Sequence, residues 1–152
     1  MSEFKSPNPP MSQFRDVLTS VAAGNQAAYD YMGLWIKSLR GIDNLFDEPE
    51  DWTQANTYEL AQWLMVEMPG NVFFNSNMML LWPMHVTVLN AWRDSNDWKQ
   101  TGDKSKNLHA LAMAEQISDL FILVAYLTGG YDHMRQNSLK VRELFLKQEV
   151  KT

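Results

Sequence analysis

The chain has 152 residues, with 13 Lys and Arg against 18 Asp and Glu, for a formal net charge of −5. Hydrophobic residues make up 45% and aromatics 12%, with only 7 Gly and 6 Pro; such a composition can bury a core for one domain, which excludes disorder over the bulk of the chain. The lack of Cys excludes a disulfide framework, thiolate catalysis and Cys-ligated zinc or iron–sulfur sites, and the acidic balance argues against nucleic acid as a partner, since that footprint needs clustered Lys and Arg.

Residues 1–10 mix Ser and Asn with three prolines and no apolar h-region, which reads as a flexible arm and not as a secretory signal. Residues 11–150 read as a single helical-bundle domain. Phe14, Val17, Leu18 and Val21 recur at helical spacing until Gly24-Asn25, which predicts a short first helix. Asn25 caps a second helix carrying Ala28, Tyr31, Leu34, Trp35, Leu39, Ile42, Leu45 and Phe46, and Pro49 stops it. A third helix runs from about Asn56 to Met68, before Pro69-Gly70. Pro83 suits the first turn of a fourth, with Val86, Val88, Leu89 and Trp92. After the polar loop Lys99 to Lys106, Ser105 or Asn107 caps a long helix through Leu108, Leu111, Ile117, Leu120, Phe121, Val124 and Leu127, closed by Gly129-Gly130. That helix is apolar on nearly every side in its second half and is the expected centre of the bundle. Its most apolar run, Leu120 to Leu127, is short of the roughly 20 residues that span a bilayer, so no membrane partner is expected. A last helix runs from about Asp132 to Glu149. The reading is all-α, with roughly six or seven helices around one core and the central apolar helix near the C-terminal third.

Three acidic spots carry the candidate chemistry. Asp43 and Asp47 are four apart at the end of the second helix, so their carboxylates share a face, repel each other and oppose the helix dipole. A hard divalent cation, Mg²⁺ or Mn²⁺, would relieve both costs; a solvated acidic end running on through Glu48, Glu50, Asp51 and Glu59 is the plainer explanation. Asn90 and Asp94 repeat the spacing on a later helix, where together with Asp97 they make either a second oxygen-rich wall or a solvent face. Glu115 and Asp119 are again four apart, and Asp119 enters an apolar run, where a carboxylate must meet a cation, a hydrogen-bond donor or a metal, or stay protonated. The metal set is therefore Asp43, Asp47, Asp94 and Asp119, with Asn90, Glu115, His85 and His109 on the substrate side. His85, His109 and His133 lie on different segments, and a lone His is more often structural, although imidazole suits proton transfer. No nucleophile elbow, Walker loop or GxGxxG occurs, no catalytic residue is assigned and nothing points to an organic cofactor.

The DxxxD of Asp43 to Asp47 with Asn90-xxx-Asp94 on a later helix resembles the paired metal motifs of class I isoprenoid synthases, with Asn in place of the first acid of the second motif. That resemblance implies Mg²⁺ holding a diphosphate between facing helices. Ala114 to Leu120 resembles the second acidic helix of all-α nucleotide pyrophosphohydrolases of the MazG type. The order of an LFDE helix end, Val66 to Asn71, an Asn-Ala-Trp helix and a Gly-Gly near the end is similar to small uncharacterised proteins of tailed bacteriophages, which implies a cytoplasmic setting, that of the host if viral.

Met78, Met79, Leu80, Leu81, Trp82 and Met84 form an adaptable apolar block, expected chiefly in the core but suited to a pocket or a partner groove. The last helix is basic through Arg135, Lys140, Arg142, Lys147 and Lys151 while Asp43 to Glu59 is acidic, an asymmetry that can steer self-association or a partner. Two functions follow as expectations: Mg²⁺- or Mn²⁺-assisted handling of a phosphate- or diphosphate-bearing small molecule, or a non-catalytic accessory or structural role through contacts with a protein partner or a second copy.

Overall fold

The stripe Phe14, Leu18, Val21 and Ala22 is buried along the first helix, α1 (Met11–Ala22), and decides how the bundle is assembled. The computed structural model describes residues 11–149, with side chains over 12–146; the N-terminal arm and residues 150–152 lie outside the described residues. These residues form an all-α bundle, with no strand among them. After α1, Ala23 and Gly24 take positive φ (50° and 83°), turning the chain into α2 (Gln26–Asp47). Asn25 caps α2 by accepting from the Ala28 N–H at 3.0 Å, as the sequence predicts.

A short 3₁₀ turn, Pro49–Asp51, leads to α3 (Gln54–Gln62), which opens with a reciprocal capping box between Thr53 and Asn56. The chain then widens into a π-helical turn, Trp63–Glu67, ahead of α4 (Met68–Gly70). Pro69 explains the widening: its ring would press on the Met65 carbonyl of a regular turn and it has no N–H to give. α5 (Val72–Ser76) is capped by Asn71, which also donates to the Ala27 carbonyl at 2.9 Å and ties this segment to the start of α2.

Helix α6 (Met78–Lys99) starts earlier than Pro83 implies, so Pro83 lies inside it. Two Asn77 carbonyl contacts, from the Leu80 and Leu81 N–H groups, begin the helix before the proline is reached. α7 (Lys104–Ala114) returns along α6 and is capped by Asp103, not by Ser105 or Asn107; the Asp103 carboxylate accepts from the Lys106 N–H at 2.9 Å. The single long helix expected over 108–127 is broken at Glu115, whose backbone (φ −84°, ψ 6°) leaves the helical region. The segment from Gln116 onward is the central piece, with Ile117, Leu120, Phe121, Val124 and Ala125 buried, whereas Leu108 on α7 is exposed.

α8 (Gln116–Glu149) folds back on itself at Gly130, where φ 87° and ψ −174° are open to glycine alone. A Cβ on the preceding Gly129 would collide with the His133 ring. The two arms meet across this turn through Phe121 and Phe145 (ring centroids 5.6 Å apart) and through Arg142 and Asp119 (2.9 Å). α1 packs against α8, with Phe14 edge-on to Phe145 at 5.9 Å. Its C-terminal carbonyl at Val21 accepts from Thr128 Oγ1 (2.7 Å) and His133 Nε2 (3.1 Å), and Ser20 donates to Asn137 (2.7 Å). Lys104–Leu146 contains a stretch that by length and composition could cross a membrane; here it bends at Gly130 and packs on α1.

Candidate functional site

The metal-set carboxylates singled out in the sequence stand on three different helices, α2, α6 and α8. Asp43 and Asp47 are exposed at the C-terminal end of α2. Asp94 is exposed on α6 and accepts from Asn90 at 3.1 Å, so this pair is satisfied within its own helix. Of the partners expected for Asp119 the fold supplies a cation, Arg142 at 2.9 Å, and a donor, Gln116 at 3.3 Å. Glu115 occupies the break between α7 and α8. His109 is exposed, with its ring edge-on to Trp98 at 6.2 Å. Among the described residues no three His, Asp or Glu side chains gather into a group able to hold a metal ion.

Of these residues, His85 lines a built cavity. It belongs to a groove of about 390 Å³ between α2, the π turn and α6, walled by Trp35, Phe74, Trp82, Trp92 and aliphatic side chains. None of the lining residues carries a formal charge at neutral pH. The imidazole stacks near Phe74 (5.2 Å) and Tyr31 (5.9 Å) and meets Trp35 edge-on at 4.7 Å. Its Nε2 lies 2.6 Å from the hydroxyl of the fully buried Tyr31. That distance suits an O–H donor, so Tyr31 donates, Nε2 accepts, and the imidazole proton is assigned to Nδ1. Burial pushes the His85 pKa down to about 4 and the Tyr31 phenol well up, with a contact to Trp35 pulling the phenol slightly the other way. The pair is therefore neutral at physiological pH.

Ser38 also lines this groove; it is 2% exposed, and its hydroxyl has no hydrogen-bond partner. A buried hydroxyl left in that state costs about 1–3 kcal/mol. At the mouth, Leu64, Trp82, Val86 and Leu89 line the groove while exposing 42%, 58%, 55% and 55% of their surfaces. Met78, Met79 and Leu80, in the Met block expected chiefly in the core, are exposed as well, whereas Leu81 is fully buried and Met84 packs on the core. Sequence reasoning missed Ser38 and Tyr31, although Trp35, Ser38 and Ile42 recur at the three- and four-residue intervals of one helix face.

A larger cleft of about 990 Å³ between α1, α2 and the π turn mixes Arg15, Lys37 and Arg40 with Asp30, Glu59 and Glu67, a balance that selects no single charge. Comparison with protein-family models, with curated proteins and with solved structures finds no match for this chain.

Proposed function

We propose that the chain is a non-catalytic binding protein that docks an amphipathic helix of a partner protein into the α2–α6 groove. The observation that carries this reading is the placement of four exposed large hydrophobics, Leu64, Trp82, Val86 and Leu89, along one uncharged, aromatic-walled groove. A helix presenting apolar residues at three- and four-residue spacing fills such a groove, and the half-exposed Trp82 is the natural hot spot. Charge selects the occupant: Asp43 and Asp47 stand exposed one turn apart beside the groove residue Ile42, so the partner helix carries Lys or Arg along its flank.

The test uses a labelled synthetic peptide of ~18 residues, with a Leu stripe at helical spacing and Lys flanks, followed by fluorescence anisotropy. Binding that is weakened at least tenfold by Trp82→Ala, and abolished by Val86→Glu, is expected. Both positions are solvent-facing enough for the fold to tolerate the change. Affinity indifferent to both substitutions overturns the reading.

A further inference from the structure

The second arm of α8 carries more apolar surface than the bundle uses. Beyond the Gly130 turn it buries Asn137, Ser138, Val141 and Leu144. On another side, Tyr131, Arg135, Leu139, Arg142 and Leu146 recur at three- and four-residue intervals and are all exposed, Leu139 by 67% and Leu146 by 48%. At about 100° of rotation per residue these positions share an arc of roughly 80°. Asp132 and Glu143 stand one position further round, on the flank of the stripe.

This stripe has the spacing and the charge that the α2–α6 groove asks of an occupant. Leu139 and Leu146 are seven apart, and so are Trp82 and Leu89 on the α6 wall; each pair spans about 10 Å of helix, so the two rows of side chains interleave at one pitch. The charge of the groove lies at one end. Phe46 meets Trp92 with ring centroids 5.5 Å apart, which brings the last turns of α2, with exposed Asp43 and Asp47, to the Trp92 end. There the end of α6 adds exposed Asp94 and Asp97 against Arg93. One orientation satisfies both requirements: with the incoming helix antiparallel to α6, Leu146 lies at Trp82, Leu139 at Leu89, and Arg135, one turn before Leu139, reaches the acidic end.

We propose that the partner is a second copy of this chain, whose α8 stripe fills the α2–α6 groove in that orientation. This rests on the docking reading and names its partner. The two faces differ, so the contact is head-to-tail and every copy offers both halves. A single helix face in a groove is a small interface, so the association is weak and depends on concentration.

The test is sedimentation velocity on the full chain from ~10 to ~500 μM, with Val86→Glu to spoil the groove and Leu139→Glu to spoil the stripe. The wild type is expected to rise in average mass with concentration, while each variant alone stays monomeric. An equimolar mixture of the two, which retains one intact groove and one intact stripe, is expected to recover association and to stop at two copies. Arg135→Glu, an exposed change that leaves the packing of α8 alone, is expected to weaken wild-type association about fivefold. Leu139→Glu is expected to bind the Leu/Lys peptide with wild-type affinity, which shows that it is folded with its groove open. A wild type that stays monomeric yet binds the peptide overturns the second copy as partner and leaves the docking groove standing. Association that survives either glutamate variant or Arg135→Glu unchanged, or a mixture that stays monomeric, also overturns it. Failure of the peptide to bind the wild type and Leu139→Glu alike overturns the docking reading and this inference together.

Discussion

His85 makes stability depend on pH in a direction that can be worked out from its surroundings. In the unfolded chain its pKa is near 6.5, while in the fold burial against Tyr31, Trp35 and Phe74 lowers it to about 4. Above the first value the imidazole is neutral in both states. Between the two, the unfolded chain takes a proton that the folded chain refuses, so the unfolded state binds more protons and stability falls as pH falls through that window. At pH 5 the full linkage is roughly 2 kcal/mol; halving it for solvent screening of a half-buried ring leaves ~1 kcal/mol. Urea unfolding of the wild type and of His85→Phe at pH 7.5 and pH 5 isolates this amount, because all other titrating groups are common to both. The wild type is expected to lose about 1 kcal/mol more than the variant between the two pH values. At pH 7.5 the variant itself is weaker by about 1–3 kcal/mol, since Tyr31 loses its acceptor. Equal pH-dependent losses in the two proteins would refute the claim that His85 is held neutral in the groove.

Gly130→Ala forces a β-carbon onto φ 87° at the turn of α8 and is expected to cost about 1–3 kcal/mol, read as a lower thermal midpoint; an unchanged midpoint would mean that the turn has another conformation. Arg142→Ala removes a pair whose side chains are 47% and 39% exposed, so chemical denaturation should register less than about 1 kcal/mol. Adding millimolar Mg²⁺ or Mn²⁺ is expected to shift the thermal midpoint by less than about 1 °C, since among the described residues no three carboxylate or imidazole side chains gather into a group able to hold a metal ion. A rise of several degrees that Asp43→Asn abolishes would favour the Mg²⁺-dependent reading of the acidic motifs instead.

Local signals in the sequence carried much of the fold. Asn25 before an apolar-periodic run, Pro69-Gly70 after one, and Gly129-Gly130 between two mark helix ends by backbone chemistry that depends on few neighbours. The break at Glu115 carries no Gly or Pro, and the apolar spacing runs straight through it, so periodicity reads one helix where the chain forms two. Asp119 entering an apolar run predicts a partner, but that partner, Arg142, stands 23 residues away across the α8 turn, a distance that no spacing rule bridges. The Met block is apolar at nearly every position, so a helical pattern cannot divide buried Leu81 from exposed Met79. Ser38 looks like an ordinary polar interruption of α2; only packing shows that its hydroxyl is enclosed without a partner and that the residue lines the same groove as His85.

The central claim concerns a place on the surface, and a binding footprint reads that place directly. Titrating the Leu/Lys peptide into the ¹⁵N-labelled chain should move the indole signals of Trp82 and Trp92, which line the groove, and leave Trp98 at the far end of α6 unmoved. Shifts confined to Trp98, or peptide binding that disturbs no groove tryptophan, would contradict it.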